Sequence, residues 1–313
     1  MEPNDVKSVM VVGAGVMGHS IAQVFAQAGI DVFLVDLKEE VLEYALDRIR
    51  SNLGTLTRFG LTFSEDKETI LSRIHPTLKI SDGAEKVDFA LEAVVEVPEV
   101  KRDVFLELEN ACPKDLVMAS NTSSLDIFEI AQLTRPERLL VAHWFAPAFI
   151  IPLVEVVPGP DTDSETIRFT VELMERIGKR TLTMKKFVKS FIVNRIQIAI
   201  ARVVWEILEN DWATPEDIDL AIKLTLGIRL PIIGVVQHAD FTGLDLAYNI
   251  QKARGEVVPL VEEKVKQGHF GAKTGKGLYD YGDRTETEIL ETRNILFLKM
   301  LKYLEEIDAF KPI

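Results

Sequence analysis

A chain of 313 residues can bury a large core and favours two domains over one. Hydrophobic residues at 47% and charged residues at 27% make an ordinary globular mixture. The net charge of −13 argues against a nucleic-acid or anionic-membrane partner, since both need a basic footprint. A local basic patch could still receive a phosphorylated ligand, and the expected partner is a small molecule.

The opening "MEPNDVKSV" is acidic where a secretory leader is basic, so no leader is expected. A strand is then expected at about 7–12, within the run Val6 to Val12, which reads as buried. It runs into "GAGVMG", where Gly13, Gly15 and Gly18 fit G-x-G-x-x-G, with Ala14, Val16 and Met17 between them. A helix follows near 17–29 and a second strand, "DVFLVD", ends at Asp36, eighteen residues beyond Gly18. In this pattern Gly13 permits the turn, Gly15 admits a pyrophosphate, and Gly18 lets helix and strand pack closely. Asp36 would accept the ribose hydroxyls of an adenosine and repel a 2′-phosphate, so NAD is expected over NADP. The bland alternative is a tight strand-to-helix turn with a surface Asp.

Further along, helices are expected near 38–58, 64–74, 98–111, 124–132 and 163–178, and strands near 88–95, 115–119, 138–142, 153–157 and 180–184. Strand and helix in alternation mean an α/β fold with a parallel sheet covered on both faces. Cys112 permits no intramolecular disulfide, suits a reducing cytoplasm, and reads as a small buried filler. "SNTSSLD" (120–126) offers hydroxyl and amide donors at a strand end, while Ser123 or Ser124 could equally cap the next helix. "LLVAHWFAPAFIIPLVEVV" (139–157) is apolar enough to suggest a membrane span. Pro147, Pro152, His143 and Glu155 make two strands and a loop the better reading.

His143 and Glu155 lie twelve residues apart, each inside an apolar run. A histidine there is commonly a satisfied core residue. A buried carboxylate needs a cationic or donor partner, and two strands joined by the Pro-containing loop would supply one. Glu155 would then fix the His143 tautomer and stabilise its imidazolium. The remaining histidines show no metal-ligand spacing, and no metal is expected.

After about residue 185 the strand signal stops. A helix is expected over 189–210, with Asn194 out of place among Ile and Val, facing either a cavity or a partner in the core. "TPEDIDLAIK" starts a helix with Thr214 as cap, Pro215 at the first position, and Glu216 and Asp217 complementing the dipole. Another helix is expected over 285–306.

Taken together, "GAGVMG", "LEAVVE" with Lys101, "ASNTSSL", His143 with "PLVEVV", "FIVNR", "ADFTGLD" and "GAKTGKGLYDY" resemble the L-3-hydroxyacyl-CoA dehydrogenase family. The likeness covers nearly the whole chain and is strongest to the short 3-hydroxybutyryl-CoA dehydrogenase form. It implies a Rossmann-type doubly wound NAD-binding domain over 1–185 and an all-helical substrate and dimerisation domain over 186–313. It also implies a homodimer in fatty acid metabolism that interconverts (S)-3-hydroxyacyl-CoA and 3-ketoacyl-CoA. His143 is then the acid–base group and Glu155 its partner. Ser123 and Asn194 hold the reacting oxygen or thioester. Glu96 and Lys101 sit against the cofactor together with the glycine turn, Ser123 and Asp36.

The sequence departs from the family at four places. Ala146 stands where an Asn precedes Pro, Lys189-Ser190 replace Pro-Gly before "FIVNR", Gly234-Val235 replace Gly-Pro, and "TRFGLTFSEDKE" has few lysines. Alternatives are a family relative acting on a free hydroxy acid, of gulonate 3-dehydrogenase or carnitine dehydrogenase type, and a non-catalytic NAD-binding crystallin-like protein. "GIRLPIIG" leans to the free-acid branch and "KTGKGLYDY" to the CoA enzymes.

Overall fold

The computed structural model describes residues 2–61 and 65–311. The first residue of the helix expected over 64–74, and residues 62–64 of "TRFGLTFSEDKE", lie outside the described residues. Two compact units divide the chain after Ile198.

The first unit follows the expected alternation: β1 (Ser8–Val12), α1 (Gly18–Gln27), β2 (Asp31–Val35), α2 (Glu39–Arg58), α3 (Lys67–Ser72), β3 (Ile74–Thr77), β4 (Phe89–Glu92), α4 (Pro98–Ala111), β5 (Val117–Ser120), α5 (Ile127–Ala131), β6 (Leu139–Trp144), β7 (Leu153–Pro158), α6 (Ser164–Arg176), β8 (Arg180–Thr183) and the first turns of α7 (Val193–Glu209). The strands form one eight-stranded sheet ordered β3-β2-β1-β4-β5-β6-β7-β8. Every neighbouring pair is parallel except β6 and β7. Strand order reverses between β1 and β4, and a ligand crevice opens at the carboxyl ends of such strands.

Residues alternate faces along each strand. Val9, Val11, Leu140, Ala142 and Trp144 pack with residues of α1, α2, α3 and α6. Met10, Val12, Ala90, Met118, Leu139 and Val141 pack with residues of α4 and α5. The alternation puts His143, Glu155, Glu92 and Ser120 together on the second face.

Strand β3 has no counterpart among the expected elements. "IHPT" is four residues long, contains a proline and pairs on one side only, so it carries little strand signal of its own. The serine caps also need correction. Asp126 caps α5, accepting from Phe128 N and Glu129 N, and neither Ser123 nor Ser124 does so.

The second unit is helical: the rest of α7, α8 (Pro215–Leu224), α9 (Leu226–Thr242, broken at Gly234), α10 (Leu244–Arg254), α11 (Pro259–Lys266) and α12 (Glu286–Glu306). Thr214 caps α8 as the sequence predicts, and Thr285 closes a capping box on α12. Its tightest point is Asp240, which is 1% exposed and accepts from Leu278 N, Tyr279 N and the Tyr281 hydroxyl at 2.8, 2.8 and 3.1 Å. A Cβ on Gly271 would sit 2.1 Å from the Asp240 carbonyl oxygen. "ADFTGLD" and "GAKTGKGLYDY" are therefore two halves of one structural knot. No helix among the described residues is long and apolar enough to cross a membrane.

Candidate active site

The glycine turn behaves as its spacing predicts. Gly13 has φ +101°, and a Cβ there would lie 2.6 Å from the Ala93 carbonyl oxygen. A Cβ on Gly18 would lie 1.6 Å from the Gly13 carbonyl oxygen, so α1 can meet β1 only through glycine. Gly15 differs, since a Cβ there would meet nothing within 4 Å. The backbone at Gly15 is thus bare toward open space, as a diphosphate at a helix N-terminus requires.

That space is a cleft of about 760 Å³ at the carboxyl ends of β1, β2, β4 and β5. Gly13, Gly15, Val16, Met17, Asp36, Glu96 and Ser123 line it, along with Asn121 and Ser124. Ala14 and Gly18 are buried and do not line it. Asp36 accepts from Ala14 N and Leu37 N, both at 2.8 Å, so one carboxylate ties the end of β2 to the glycine turn.

The acids beyond β4 form a network that the sequence reveals only in part. Lys101 is 1% exposed and lies inside the wall, with Nζ 2.7 Å from Glu92 Oε1 and 3.1 Å from Glu96 Oε2. Ser120 Oγ donates to the other Glu92 oxygen at 2.6 Å. Burial pushes the Glu92 carboxyl above its ordinary range, against the pull of the Lys101 charge. Glu96 feels burial most strongly too, but hydrogen bonds from Thr122, Lys101 and Ser123 N outweigh it and hold the carboxyl low. Glu96 therefore presents an ionised group at the cleft, with the Lys101 ammonium behind it. Glu92 was readable in principle. It is a carboxylate ending the apolar run "FALE", the same signal that singles out Glu155.

His143 and Glu155 are paired positions of the antiparallel β6–β7 ladder. His143 Nδ1 lies 2.8 Å from Glu155 Oε2, and the residues are 3% and 0% exposed. The other carboxylate oxygen accepts from Ile192 N and Val193 N at 3.1 and 3.0 Å. Burial is the largest influence on this carboxyl and raises its pKa. The bond to His143 and the two backbone N–H groups together overcome it, leaving the pKa below the ordinary value. Phe145 and Phe191 lie against the imidazole, with ring centroids 4.5 and 5.2 Å away. Ile192 and Val193 contribute through the backbone, which sequence pattern does not encode.

Asn194 is the second residue of α7, not an interior one, and its Nδ2 donates to the Ser123 carbonyl at 3.2 Å. The loop after β5 and the start of α7 are joined by this bond. Cys112 is buried, and burial raises its thiol to about 11, which makes it inert.

A crevice at the strand-order reversal, a bare glycine turn, an acid ending β2 and a buried His–Glu pair define an NAD-dependent dehydrogenase. Residues 8–187 match the 3-hydroxyacyl-CoA dehydrogenase NAD binding domain, and residues 191–281 match the C-terminal domain of the same enzymes. The chain belongs to the 3-hydroxyacyl-CoA dehydrogenase family. It is 34% identical to a probable 3-hydroxybutyryl-CoA dehydrogenase of Bacillus subtilis, over 90% of this chain and 99% of that one. It is also 28% identical to a 5-formyl-3-hydroxy-2-methylpyridine 4-carboxylate 5-dehydrogenase of Mesorhizobium japonicum, over 88% of this chain and 91% of that one. Among solved structures, a 3-hydroxyacyl-CoA dehydrogenase from Archaeoglobus fulgidus aligns with TM-score 0.79 and 31% identity, over 96% of this chain and 99% of that one.

Proposed function

We propose that this dehydrogenase oxidises an (S)-3-hydroxyacyl-CoA to the 3-ketoacyl-CoA, and runs the reverse reduction, with His143 as acid–base group. The carrying observation is the buried 2.8 Å contact between His143 Nδ1 and Glu155 Oε2. A proton on Nδ1, donated to Glu155, leaves the Nε2 lone pair to take the carbinol proton. The imidazole gains positive charge as it does so, and the Glu155 carboxylate stabilises that charge in apolar surroundings. Bound NAD supplies the acceptor for the hydride that leaves the same carbon. Ser123 and Asn194 hold the reacting oxygen or the thioester carbonyl.

The turn of Gly13, Ala14, Gly15, Val16, Met17 and Gly18 would receive the pyrophosphate, Asp36 the adenosine ribose, and Glu96 the cofactor, with Lys101 behind it. The open space at Gly15 supports this fit. The cofactor role belongs to residues 1–185, and substrate binding and pairing with a second copy to 186–313. The exposed Ile198, Val235 and Leu298, at 58, 59 and 67%, support that pairing. A cytoplasmic homodimer in fatty acid metabolism completes the reading.

A second reading is oxidation of a free hydroxy acid. The few lysines of "TRFGLTFSEDKE" and the likeness to the pyridine-carboxylate enzyme favour it. A panel of (S)-3-hydroxyacyl-CoA thioesters and free hydroxy acids, followed by NADH absorbance, separates the two. Turnover confined to free acids would overturn the CoA assignment.

A further inference from the structure

Lys179, in the turn between α6 and β8, is 8% exposed and has no acidic partner among the described residues. Its Nζ donates to the Ala148 carbonyl and, at 2.9 Å, to the Ile151 carbonyl. Both belong to the segment linking His143 on β6 to Glu155 on β7. The same ammonium stands 5.1 Å from the centroid of Trp144, the residue next to His143. The Trp144 ring N–H is buried without a partner among the described residues, so contacts with its faces hold the ring. An ammonium without a counter-charge is costly to bury, and methionine would fill the space more cheaply. The charge therefore has a use beyond packing.

We propose that Lys179 is a positioning residue for the His143–Glu155 pair. Its ammonium clamps the segment after His143 by two carbonyls and the Trp144 face. This rests on reading His143 as the acid–base group. Burial alone draws the ammonium down to about 8. Loss of the proton weakens the clamp by removing the cation–π contact and the charge assistance of its two hydrogen bonds. Among the described residues the groups it contacts are the two carbonyls and the indole, none of them ionisable. From α1, Ser20 Oγ accepts the Phe149 N–H and adds no charge. Arg176 and Arg180, near it in sequence, are exposed.

The clamp can be read without substrate. The other two tryptophans, Trp205 and Trp212, are 61 and 66% exposed, and W205F with W212F leaves Trp144 as the only indole. Trp144 emission in that background should change with a midpoint near pH 8, and Lys179→Met should abolish the change. A transition that persists in Lys179→Met, or none in the parent, overturns the clamp. Activity reads the positioning, with (S)-3-hydroxybutyryl-CoA and NAD as probes. Lys179→Met should lower kcat about tenfold or more at pH 7 with little change in the KM for NAD, since small misplacements cost that much. It should also lose the alkaline fall near pH 8. Lys179→Arg keeps its charge and should move that fall upward. Wild-type kcat and pH profile in Lys179→Met would overturn the positioning role. Full turnover in His143→Gln would instead dismiss the acid–base assignment and leave the emission result standing.

Discussion

At the scale of single residues, two buried carboxylates have different tasks. Glu155 receives three hydrogen bonds and, on the proposed reading, serves a neighbour that gains charge, whereas Glu92 pairs with a buried lysine. His143→Gln should lower kcat by about 10²–10⁴ while leaving NADH affinity near normal. Glu155→Gln should cost less, and the double variant little more than His143→Gln alone, because the pair acts as a unit. Steady-state kinetics on the three variants checks this. Glu155 also predicts an acid limb in stability. Its folded pKa is depressed, so its contribution is full above the unfolded value of about 4.3 and is lost as pH falls through the folded one. Urea melts between pH 3 and 6 should show a flatter stability profile for Glu155→Gln than for the parent, and equal slopes would contradict the direction of the shift. Lys101→Met strands two carboxylates, one wholly buried, and should cost about 3–5 kcal/mol of unfolding free energy.

At the scale of elements, the glycine turn gives a paired test. Gly18→Ala pushes a methyl into backbone and should destabilise at or above the top of the ~1–3 kcal/mol range for overpacking. Gly15→Ala meets nothing and should leave Tm unchanged while weakening NADH binding. Calorimetry and a binding titration distinguish them. The contrast also shows what was legible in the sequence. Elements with strong periodicity and chemical punctuation, such as α4 with Pro98 and α8 with Thr214 and Pro215, lie where pattern puts them. β3 was missed because a short edge strand owes its existence to a neighbour. The N–H groups of Ile192 and Val193 were missed because backbone donors take their partners from tertiary packing. The Asp126 cap, by contrast, is local and was readable as an Asp just before an apolar run. His143 and Glu155 were readable, since a polar residue inside an apolar run must be answered somewhere.

At the scale of the molecule, α7 and the helices after it carry more exposed aliphatic surface than a solitary chain tolerates well, including Ile196, Ile198, Ile200 and Val203. Light scattering should give twice the chain mass of 35.2 kDa at micromolar concentration, and charged substitutions at Ile198 and Ile200 should lower it. A single-chain mass for the parent would contradict the pairing. The likeness of "KTGKGLYDY" to CoA enzymes says less about substrate than it suggests, because Asp240 uses that segment to hold the helical unit together.

The reversal of direction between β6 and β7 sets where this chain can change length. Side chains alternate across the sheet, so one residue inserted between Leu153 and Glu155 would rotate the carboxylate to the opposite face and leave His143 without it. One residue inserted at the exposed tip beside Ile150 could bulge outward, with the ladder intact on both sides. Length within each strand is thus held by the His143–Glu155 register, while at the tip it is held by the Lys179 contacts to the Ala148 and Ile151 carbonyls.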